Sequence, residues 1–492
     1  MQVTKLIGRQ NAAHDKEGHV SVLPKLIKST GIYALASVAN PLITLVLAPF
    51  LAHNLSPSDY GILTITNTAL ALTAGIMQLG LASAFFRAYG YDFTERQDKL
   101  DVVATATTLL CLTSVSVVIA GALLSSRVAS VLFGQSKLGS YVILAGVVVC
   151  LQNLTIPAMA WLRVESHALI FSLLTIVNVL VTLVATIYLA GVLHWGVSGV
   201  IIANGCGYAC IVICTLPIIV LRVGIKIRAD ILQNLLSFGL PLVLNFVAYW
   251  ILQLSDRYLL SRFTSLAETA RYAVAYTLGS AISVVIMGPF ALAWPASVFA
   301  IAKREDATRV FTLVFRWFSL FLLFSAFGLS LVGVWFLNWL FPVAYHSAAF
   351  VIPIVAISIA LYGVYYIFKS GLDIKRKTWL ISVYTTFAAL VNIALNLFLI
   401  PRYGAMGAAL STLVAYTALA TVAYIVNRRI YPIPYEVGLF LMALFVGIAL
   451  YMGSDFLAQA QSIYVAWGIR IATLGLYGVY LVVLGLFLIR KQ

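Results

Sequence analysis

Charged residues are scarce in this sequence. Asp, Glu, Lys and Arg make up 10% of its 492 residues, whereas soluble globular proteins carry roughly 25%. Hydrophobic residues account for 62% of the chain, and the mean hydropathy is +1.02. Apolar runs of about 20 residues, the length needed to cross a bilayer, recur along the whole chain. The composition therefore excludes an ordinary soluble protein and predicts a membrane protein.

The patterns of other membrane architectures are missing too. Strands of a β-barrel alternate polar and apolar residues over about ten positions, and these runs do not alternate. Open sheets would leave backbone groups unsatisfied in lipid. Residues 1–24 are polar and lack the apolar core of a secretory signal, so no cleavage is expected. We predict an all-α polytopic membrane protein.

Enzyme signatures are also lacking. The 16 acidic residues lie almost entirely between the apolar runs or at their ends, and the chain has no glycine-rich phosphate loop, paired carboxylates or Cys/His metal spacing. Among the five cysteines, Cys206, Cys210 and Cys214 share one helix face, and we interpret them as small packing residues. The segments between runs are too short for an extramembrane domain. We therefore expect no enzyme activity, no cofactor, no metal and no nucleic-acid partner.

Fourteen apolar runs predict fourteen transmembrane helices. They lie at about 29–52, 60–86, 102–124, 140–161, 168–190, 197–220, 235–260, 271–299, 310–337, 348–368, 378–400, 405–427, 436–456 and 463–489. An even number of crossings puts both termini on one side, and most of the 31 Lys and Arg residues then fall in segments on that side. Because cytoplasmic loops are enriched in Lys and Arg, we predict that both termini are cytoplasmic.

Two halves of the chain resemble each other at an offset of about 208 residues. Glycine pairs open the sixth and twelfth runs at the same spacing, and a capping box follows the first and the seventh. The corresponding features are Gly196 and Gly199 with Gly404 and Gly407, and Ser56 to Asp59 with Ser265 to Glu268. Each half contains six helices, so both halves have the same orientation, as in transporters with parallel repeats.

The repeat divides the chain into five segments. We predict a basic cytoplasmic N-terminus at 1–28, a first six-helix bundle at 29–220 and a basic cytoplasmic linker at 221–234. A second six-helix bundle at 235–430 follows, and residues 431–492 form two extra helices with a short cytoplasmic tail.

The first helix of each half carries a polar stripe. The stripes consist of Tyr33, Ser37, Asn40 and Thr44 in the first half and of Asn245, Tyr249, Gln253 and Asp256 in the second. At 100° per residue each set covers one helix face. Two interpretations stay open: hydrogen bonds between helices, common in membrane bundles, or the lining of a hydrated cavity between the halves. Recurrence in both halves favours the cavity.

Asp256 and Arg257 place two full charges near the end of the seventh helix. A charge in the middle of a bilayer costs about 2.5–3.5 kcal/mol on insertion scales, so such charges pair or face water. Either Arg257 snorkels to the membrane interface with Asp256 as its partner, or it contributes positive charge to the cavity. Arg316, two turns into the ninth helix, has no acidic residue nearby in sequence and is a further cavity candidate. Arg87, Lys28 and Lys369 lie at helix ends, where an interfacial role competes.

Several segments resemble one family. "LAHNLSPSDYGILTI" (51–65), "LGLASAFFRAYGY" (79–91), "QLSDRYLLSR" (253–262) and the glycine-containing starts of the sixth and twelfth helices are similar to polysaccharide-transporter flippases. These flippases belong to the multidrug/oligosaccharidyl-lipid/polysaccharide exporter superfamily. The resemblance covers nearly the whole chain, including the layout of six, six and two helices.

The resemblance implies a function. Such proteins translocate undecaprenyl-pyrophosphate-linked oligosaccharides, such as O-antigen or exopolysaccharide units, across the bacterial inner membrane. It also implies a lipid-linked substrate, alternating access between the bundles, and a polymerase and chain-length regulator as assembly partners. Asp256 is then the candidate for coupling to an ion.

Other functions remain open on the residues alone. A cation-coupled multidrug exporter of the same fold would use an intramembrane carboxylate, for which Asp256 is the main candidate. A lipid II flippase also has fourteen helices, but it carries basic residues inside its first helix, where this chain has Ser37 and Asn40. A membrane glycosyltransferase would need a catalytic extramembrane loop, and a non-transporting scaffold would tolerate changes at the site.

Overall fold

A computed structural model describes residues 42–458 and 461–489, which are almost entirely helical and contain no strand. In chain order the helices are α1 (Leu42–Asn54), α2 (Pro57–Met77), α3 (Leu81–Arg87), α4 (Arg96–Phe133), α5 (Gly139–Val164), α6 (Ala168–Thr186), α7 (Gly196–Val223), α8 (Ala229–Phe263), α9 (Leu266–Gly279), α10 (Gly288–Ala302), α11 (Ala307–Leu340), α12 (Val351–Phe368), α13 (Ser370–Ile374), α14 (Trp379–Ile430), α15 (Val437–Ala458) and α16 (Ile463–Ile489). Short π-helical turns follow α3 and α6 and precede α10. The predicted fold class is confirmed.

The described helices accommodate the fourteen predicted crossings. Eleven are long and apolar enough to span a bilayer, and α9 and α10 form a twelfth span that bends by 44°. The 52 residues of α14 would extend about 78 Å at 1.5 Å per residue, more than twice the bilayer core, so this helix supplies two crossings. α1 is the described part of the first run.

Two runs differ from the expected continuous helices. The second run breaks between α2 and α3, where Leu79 and Gly80 have left-handed backbone angles (φ 51° and 68°). The eighth run is split into α9 and α10 by the π-helical turn Ser283–Met287. Runs eleven and twelve are separate helices, as expected, and they meet end to end within α14 at Gly404, whose backbone angles (φ 52°, ψ −129°) are not helical.

The local sequence features that the two halves share have the same conformation in both halves of the structure. Gly196 and Gly404 both have positive φ (58° and 52°), a conformation that favours glycine. Ser56 accepts a hydrogen bond from the backbone N–H of Asp59, and Ser265 accepts one from that of Glu268, both at 3.1 Å. The N-cap hydrogen bond of both predicted capping boxes is confirmed. The same sequence devices therefore start equivalent helices in the two halves.

The two halves meet along α2. Within the first half α5 packs against α4 and α7, and within the second α14 packs against α8 and α12. Between the halves α2 packs against α8 and α9. α15 and α16 pack against each other and against α11. The bundle boundaries at 29–220 and 235–430 stay predictions.

Glycines bring the backbones of the halves together at both ends of this interface. A Cβ on Gly61 would lie 2.0 Å from the carbonyl oxygen of Leu266, and a Cβ on Gly239 would lie 2.2 Å from that of Leu79. The second contact lies at the end of the molecule that carries Arg87, Arg222 and most other basic residues, which we call the basic end. The first lies at the opposite end. These two contacts hold the halves together at opposite ends of the interface.

Candidate functional site

The charged pair near the end of α8 is buried inside the protein. Asp256 is 2% exposed and Arg257 is 8% exposed. The guanidinium Nη1 donates to Asp256 Oδ1 at 3.0 Å and to the Gln253 carbonyl at 2.7 Å. Burial at this level excludes the interpretation in which Arg257 snorkels to the membrane interface. The two charges compensate each other, which permits them in an apolar segment.

α9 holds this pair from the other side. The hydroxyl of Tyr272 donates a hydrogen bond to Asp256 Oδ2, and the guanidinium of Arg257 lies 4.3 Å from the ring centroid of Tyr276. A cation over an aromatic face is stabilised by the ring quadrupole. Tyr272 and Tyr276 lie four residues apart, so one face of α9 supplies both contacts. The orientation of Arg257 is therefore fixed by two helices.

Arg257 forms part of the wall of a cavity between the two halves. The cavity has a volume of about 240 Å³. The first half contributes α1, α2, α6 and α7 to its lining, and the second half contributes α8 and α9. Its polar lining residues are Thr44, Thr64, Asn67, Thr68, Thr186, Asn204, Arg257 and Thr277. Arg257 thus lines a chamber with mixed polar and apolar walls that is built mainly by the other half.

Two asparagines, Asn67 and Asn204, line the same cavity as Arg257. Among the residues that the structure describes, no hydrogen-bond partner is found for the side chains of Asn67 and Asn204. The hydroxyls of Thr64 and Thr68, in contrast, donate to carbonyls four residues back on the same helix. Sequence reasoning missed both asparagines. A single amide within an apolar helix was the available signal, and it is equally typical of helix packing.

The rest of the α8 stripe lies outside the cavity lining. Asn245, Tyr249 and Gln253 continue from Arg257 towards the basic end, but none of them lines this cavity. The Asn245 Oδ1 atom is enclosed without a hydrogen-bond partner, and Tyr249 is partly exposed. Gln253 accepts a hydrogen bond from the Tyr276 hydroxyl at 3.5 Å. Gln253 therefore stabilises the positions of Tyr276 and Arg257.

The structure places Arg316 in a different setting from the one expected. This side chain is fully buried, and its Nε donates to Glu436 Oε2 at 2.6 Å while Nη2 pairs with the other carboxylate oxygen. Nη1 donates to the Gly485 carbonyl at 3.3 Å. Arg316 therefore connects α11 to the start of α15 and to α16. It does not line the cavity between the halves, which corrects the expectation, and we omit it from the site.

The other predicted basic residues lie at helix ends. Arg87 pairs with Asp92 at 3.3 Å and lies 4.9 Å from the ring centroid of Phe238 on α8. Lys369 pairs with Asp373 at 3.5 Å. Neither lines the cavity. Lys28, Ser37 and Asn40 lie outside the described residues, so their placement in the cavity stays a prediction.

Comparison with known proteins gives a family and a fold. The chain resembles the lipid II flippase MurJ in an inward closed conformation, with a TM-score of 0.68 and 14% identity over 92% of this chain and 98% of that one. It also resembles an inward-facing multidrug resistance MATE family transporter of the MOP superfamily (TM-score 0.61, 14% identity, 80% and 97% covered). A Vibrio cholerae MATE transporter gives a TM-score of 0.58 with 13% identity and 83% and 97% covered. At these identities the likeness shows the fold.

Comparison with proteins of curated function finds no significant sequence match. The sequence profile of one family, described as polysaccharide biosynthesis protein, matches residues 50–349. This match covers more than half of the chain, from the end of α1 to the segment before α12, and includes both halves of the cavity. The chain therefore belongs to the polysaccharide biosynthesis protein family and has the fold of the MurJ and MATE transporters of the MOP superfamily.

Proposed function

We propose that this protein is a flippase that translocates an undecaprenyl-pyrophosphate-linked oligosaccharide across the bacterial inner membrane. The observation that carries the proposal is the buried Arg257, which faces a polar cavity between the halves. Membership of a polysaccharide biosynthesis family supports a glycan substrate. The MurJ-like fold supports movement of a lipid-linked molecule.

The cavity chemistry suits a diphosphate-bearing substrate. A guanidinium binds phosphate through paired N–H donors and stays charged when buried. Asp256 fixes the position of Arg257, and the amides of Asn67 and Asn204 supply further donors for phosphate or sugar oxygens. A lipid tail would stay in the bilayer while the head group passes between the halves.

Alternating access would use the two glycine contacts. Opening Leu79 from Gly239 admits substrate from the basic end, and opening Gly61 from Leu266 releases it at the opposite end. If the basic end faces the cytoplasm, as the charge distribution predicts, an inside-negative potential favours export of a dianion by roughly 4–5 kcal/mol per 100 mV.

The contacts of Asp256 favour the membrane potential as the driving force over a cation that binds to the Asp256 carboxylate. Arg257 and Tyr272 each donate to one of its oxygens. A coupling ion bound there would add a second positive charge beside Arg257, and neighbouring like charges disfavour such binding. We therefore propose that Asp256 positions Arg257 and that the membrane potential contributes the driving force.

Export by site variants tests the proposal. In a strain that depends on this protein for surface polysaccharide, Arg257→Ala should abolish export at a normal protein level, and Arg257→Lys should restore part of it. Arg262→Ala is the matched control, because Arg262 is exposed and lies on the same helix outside the cavity. Full export by Arg257→Ala would overturn the proposal. So would gained resistance to cationic dyes with no change in polysaccharide.

Thiol labelling tests whether the cavity is hydrated. In a background without native cysteines, Asn67→Cys should react with a hydrophilic thiol reagent, and Asn245→Cys should react more slowly because its side-chain oxygen is enclosed. Equal protection of both positions would mean that no hydrated passage lies at Asn67.

A further inference from the structure

A large cavity lies inside the first half, apart from the cavity that Arg257 lines. Its volume is about 1000 Å³. The π-helical turn after α3, the helices α4, α5, α6 and α7 and the α5–α6 connection form its walls, and no residue lines both cavities. It lies at the basic end of the molecule. We call it the basic-end cavity.

Three cations line the basic-end cavity without a carboxylate partner. They are Arg96 and Lys99 from the first turn of α4 and Arg222 from the last turn of α7. Within the described part of the chain none of the three forms an ion pair. The one carboxylate in the lining, Glu165, accepts a hydrogen bond from the Tyr89 hydroxyl.

Neighbouring basic residues at the same end are paired. Arg228 donates to Asp98, Asp101 and Asp230, and these hydrogen bonds, the one to Asp230 first, raise the pKa of the Arg228 guanidinium. Lys226 pairs with Asp101 at 2.9 Å. The nearby carboxylates are thus committed to residues outside the cavity. The positive charge of the cavity lining is therefore available to an anion that is not part of the protein.

An aromatic pair separates the charged rim from an apolar interior. Trp161 Nε1 donates to the Tyr89 hydroxyl at 3.2 Å, and Lys99 Nζ lies 5.4 Å from the Tyr89 ring centroid. Trp and Tyr are the residues that favour the boundary between head groups and hydrocarbon. Apolar side chains of α4 to α7 line the rest: Leu100, Ala158, Leu162, Ile170, Leu174, Ile218 and Ile219.

The cavity opens on the apolar outer surface of the bundle. Ile170 on α6 and Ile218 on α7 are 49% and 54% exposed. Their neighbours Leu173 and Leu221 are exposed as well, at 55% and 86%. A surface of this kind on a membrane-spanning bundle faces lipid. An occupant can therefore enter from the bilayer with its polar group at the rim.

We propose that the basic-end cavity binds an anionic membrane phospholipid, with the phosphate between Arg96, Lys99 and Arg222 and the start of an acyl chain against the apolar walls of α6 and α7. Basic pockets between membrane helices recognise anionic head groups in this way. The cavity shares no lining residue with the one proposed for transport. Lipid binding here is independent of which substrate the protein moves.

Native mass spectrometry of the full-length protein in detergent tests the proposal. Phosphatidylglycerol should bind more tightly than phosphatidylcholine. The triple variant Arg96→Gln/Lys99→Gln/Arg222→Gln should weaken phosphatidylglycerol binding by about tenfold or more, since each basic residue near a head group contributes. The control variant Lys303→Gln/Arg309→Gln/Lys377→Gln removes the same charge from exposed positions outside the cavity and should bind like the unmodified protein. Equal weakening in both variants, or in neither, would overturn the proposal.

Cys214 gives a second measurement at the cavity itself. It lines the cavity and is exposed, and Cys206 on the same helix is exposed but does not line it. In single-cysteine variants, phosphatidylglycerol should slow N-ethylmaleimide labelling of Cys214 relative to phosphatidylcholine and leave Cys206 unchanged. Equal rates for Cys214 in the two lipids would contradict the proposal. Displacement of phosphatidylglycerol by a lower concentration of a polyprenyl diphosphate would also overturn it, because the cavity would then be a substrate site.

Discussion

Arg257 and Arg316 are both buried arginines in membrane-spanning helices, yet their surroundings differ. Arg257 pairs with the adjacent residue on its own helix and leaves part of its surface in a polar cavity. Arg316 is fully enclosed by Glu436 and the Gly485 carbonyl, which lie more than a hundred residues away in sequence. Burial alone therefore does not identify a functional charge. The difference lies in whether a face of the side chain is left for a ligand.

The cysteines show the same point on a smaller scale. Cys206 and Cys214 were expected to pack between helices, but both are exposed, and Cys214 lines the basic-end cavity whereas Cys206 does not. A shared helix face did not predict a shared environment.

The largest expected effect comes from separating the two members of the Arg316 pair. Glu436→Gln leaves a buried guanidinium without its counter-charge, which costs about 3–5 kcal/mol. We expect a large fall in the thermal unfolding temperature of the purified protein and a lower level in the membrane. The double variant Arg316→Met/Glu436→Leu should recover most of the stability, because an apolar pair of similar size avoids the unpaired charge. A stable Glu436→Gln protein would show that the pair does not fasten the terminal helices.

The same double replacement at the other arginine should separate stability from transport. Asp256→Leu/Arg257→Met removes both charges, so we expect a folded protein with an unfolding temperature near that of the unmodified one. Polysaccharide export should be lost, whereas Arg316→Met/Glu436→Leu should retain it. Export by both double variants would mean that both arginines are structural.

A smaller effect is expected from Tyr272→Phe. The Tyr272 hydroxyl donates to a buried carboxylate, and a hydrogen bond to a charged group contributes about 1.5–3 kcal/mol. The matched control is Tyr477→Phe, because the buried Tyr477 hydroxyl donates to the neutral carbonyl of Ala443 at 3.0 Å and such bonds contribute about 0.5–1.5 kcal/mol. Thermal unfolding should rank Tyr272→Phe as the more destabilised of the two. The reverse order would show that the Tyr272 hydroxyl contributes less to stability than a hydrogen bond to a neutral carbonyl.

The smallest effect is expected at an exposed pair. Arg304 bonds to Asp306 at 2.7 Å between α10 and α11, and this hydrogen bond lowers the pKa of the Asp306 carboxyl. Both side chains are about half exposed, and solvent screens such pairs. Arg304→Gln should leave both the unfolding temperature and export unchanged within error. A measurable fall in either quantity would mean that an exposed ion pair contributes to the stability of this protein even without burial.

Local features were the ones that sequence reasoning predicted well. The helix caps at Ser56 and Ser265 and the kink glycines Gly196 and Gly404 depend on a few neighbouring residues, so their pattern is visible in the chain. The apolar runs depend on the bilayer thickness, which is a fixed external length. These features were sufficient for the fold class and for the internal repeat.

Long-range pairing was out of reach. The helical spacing of Asn245, Tyr249, Gln253 and Asp256 predicts one face of α8, but it did not show that Tyr272 of α9 contacts that face or that none of the four lines the cavity. Glu436 follows the second bundle, and nothing near Arg316 in sequence indicates it. The partner of a buried charge is set by how helices assemble, which a single sequence does not contain.

The ion pair between Arg316 and Glu436 makes the last two helices, α15 and α16, difficult to lose. A chain cut short after α14 would lose the Glu436 carboxylate and the Gly485 carbonyl, both of which Arg316 contacts. Such a truncation would therefore need a change at Arg316 as well to keep the rest of the protein stable. The last two helices are held in this way whether or not they take any part in moving a substrate.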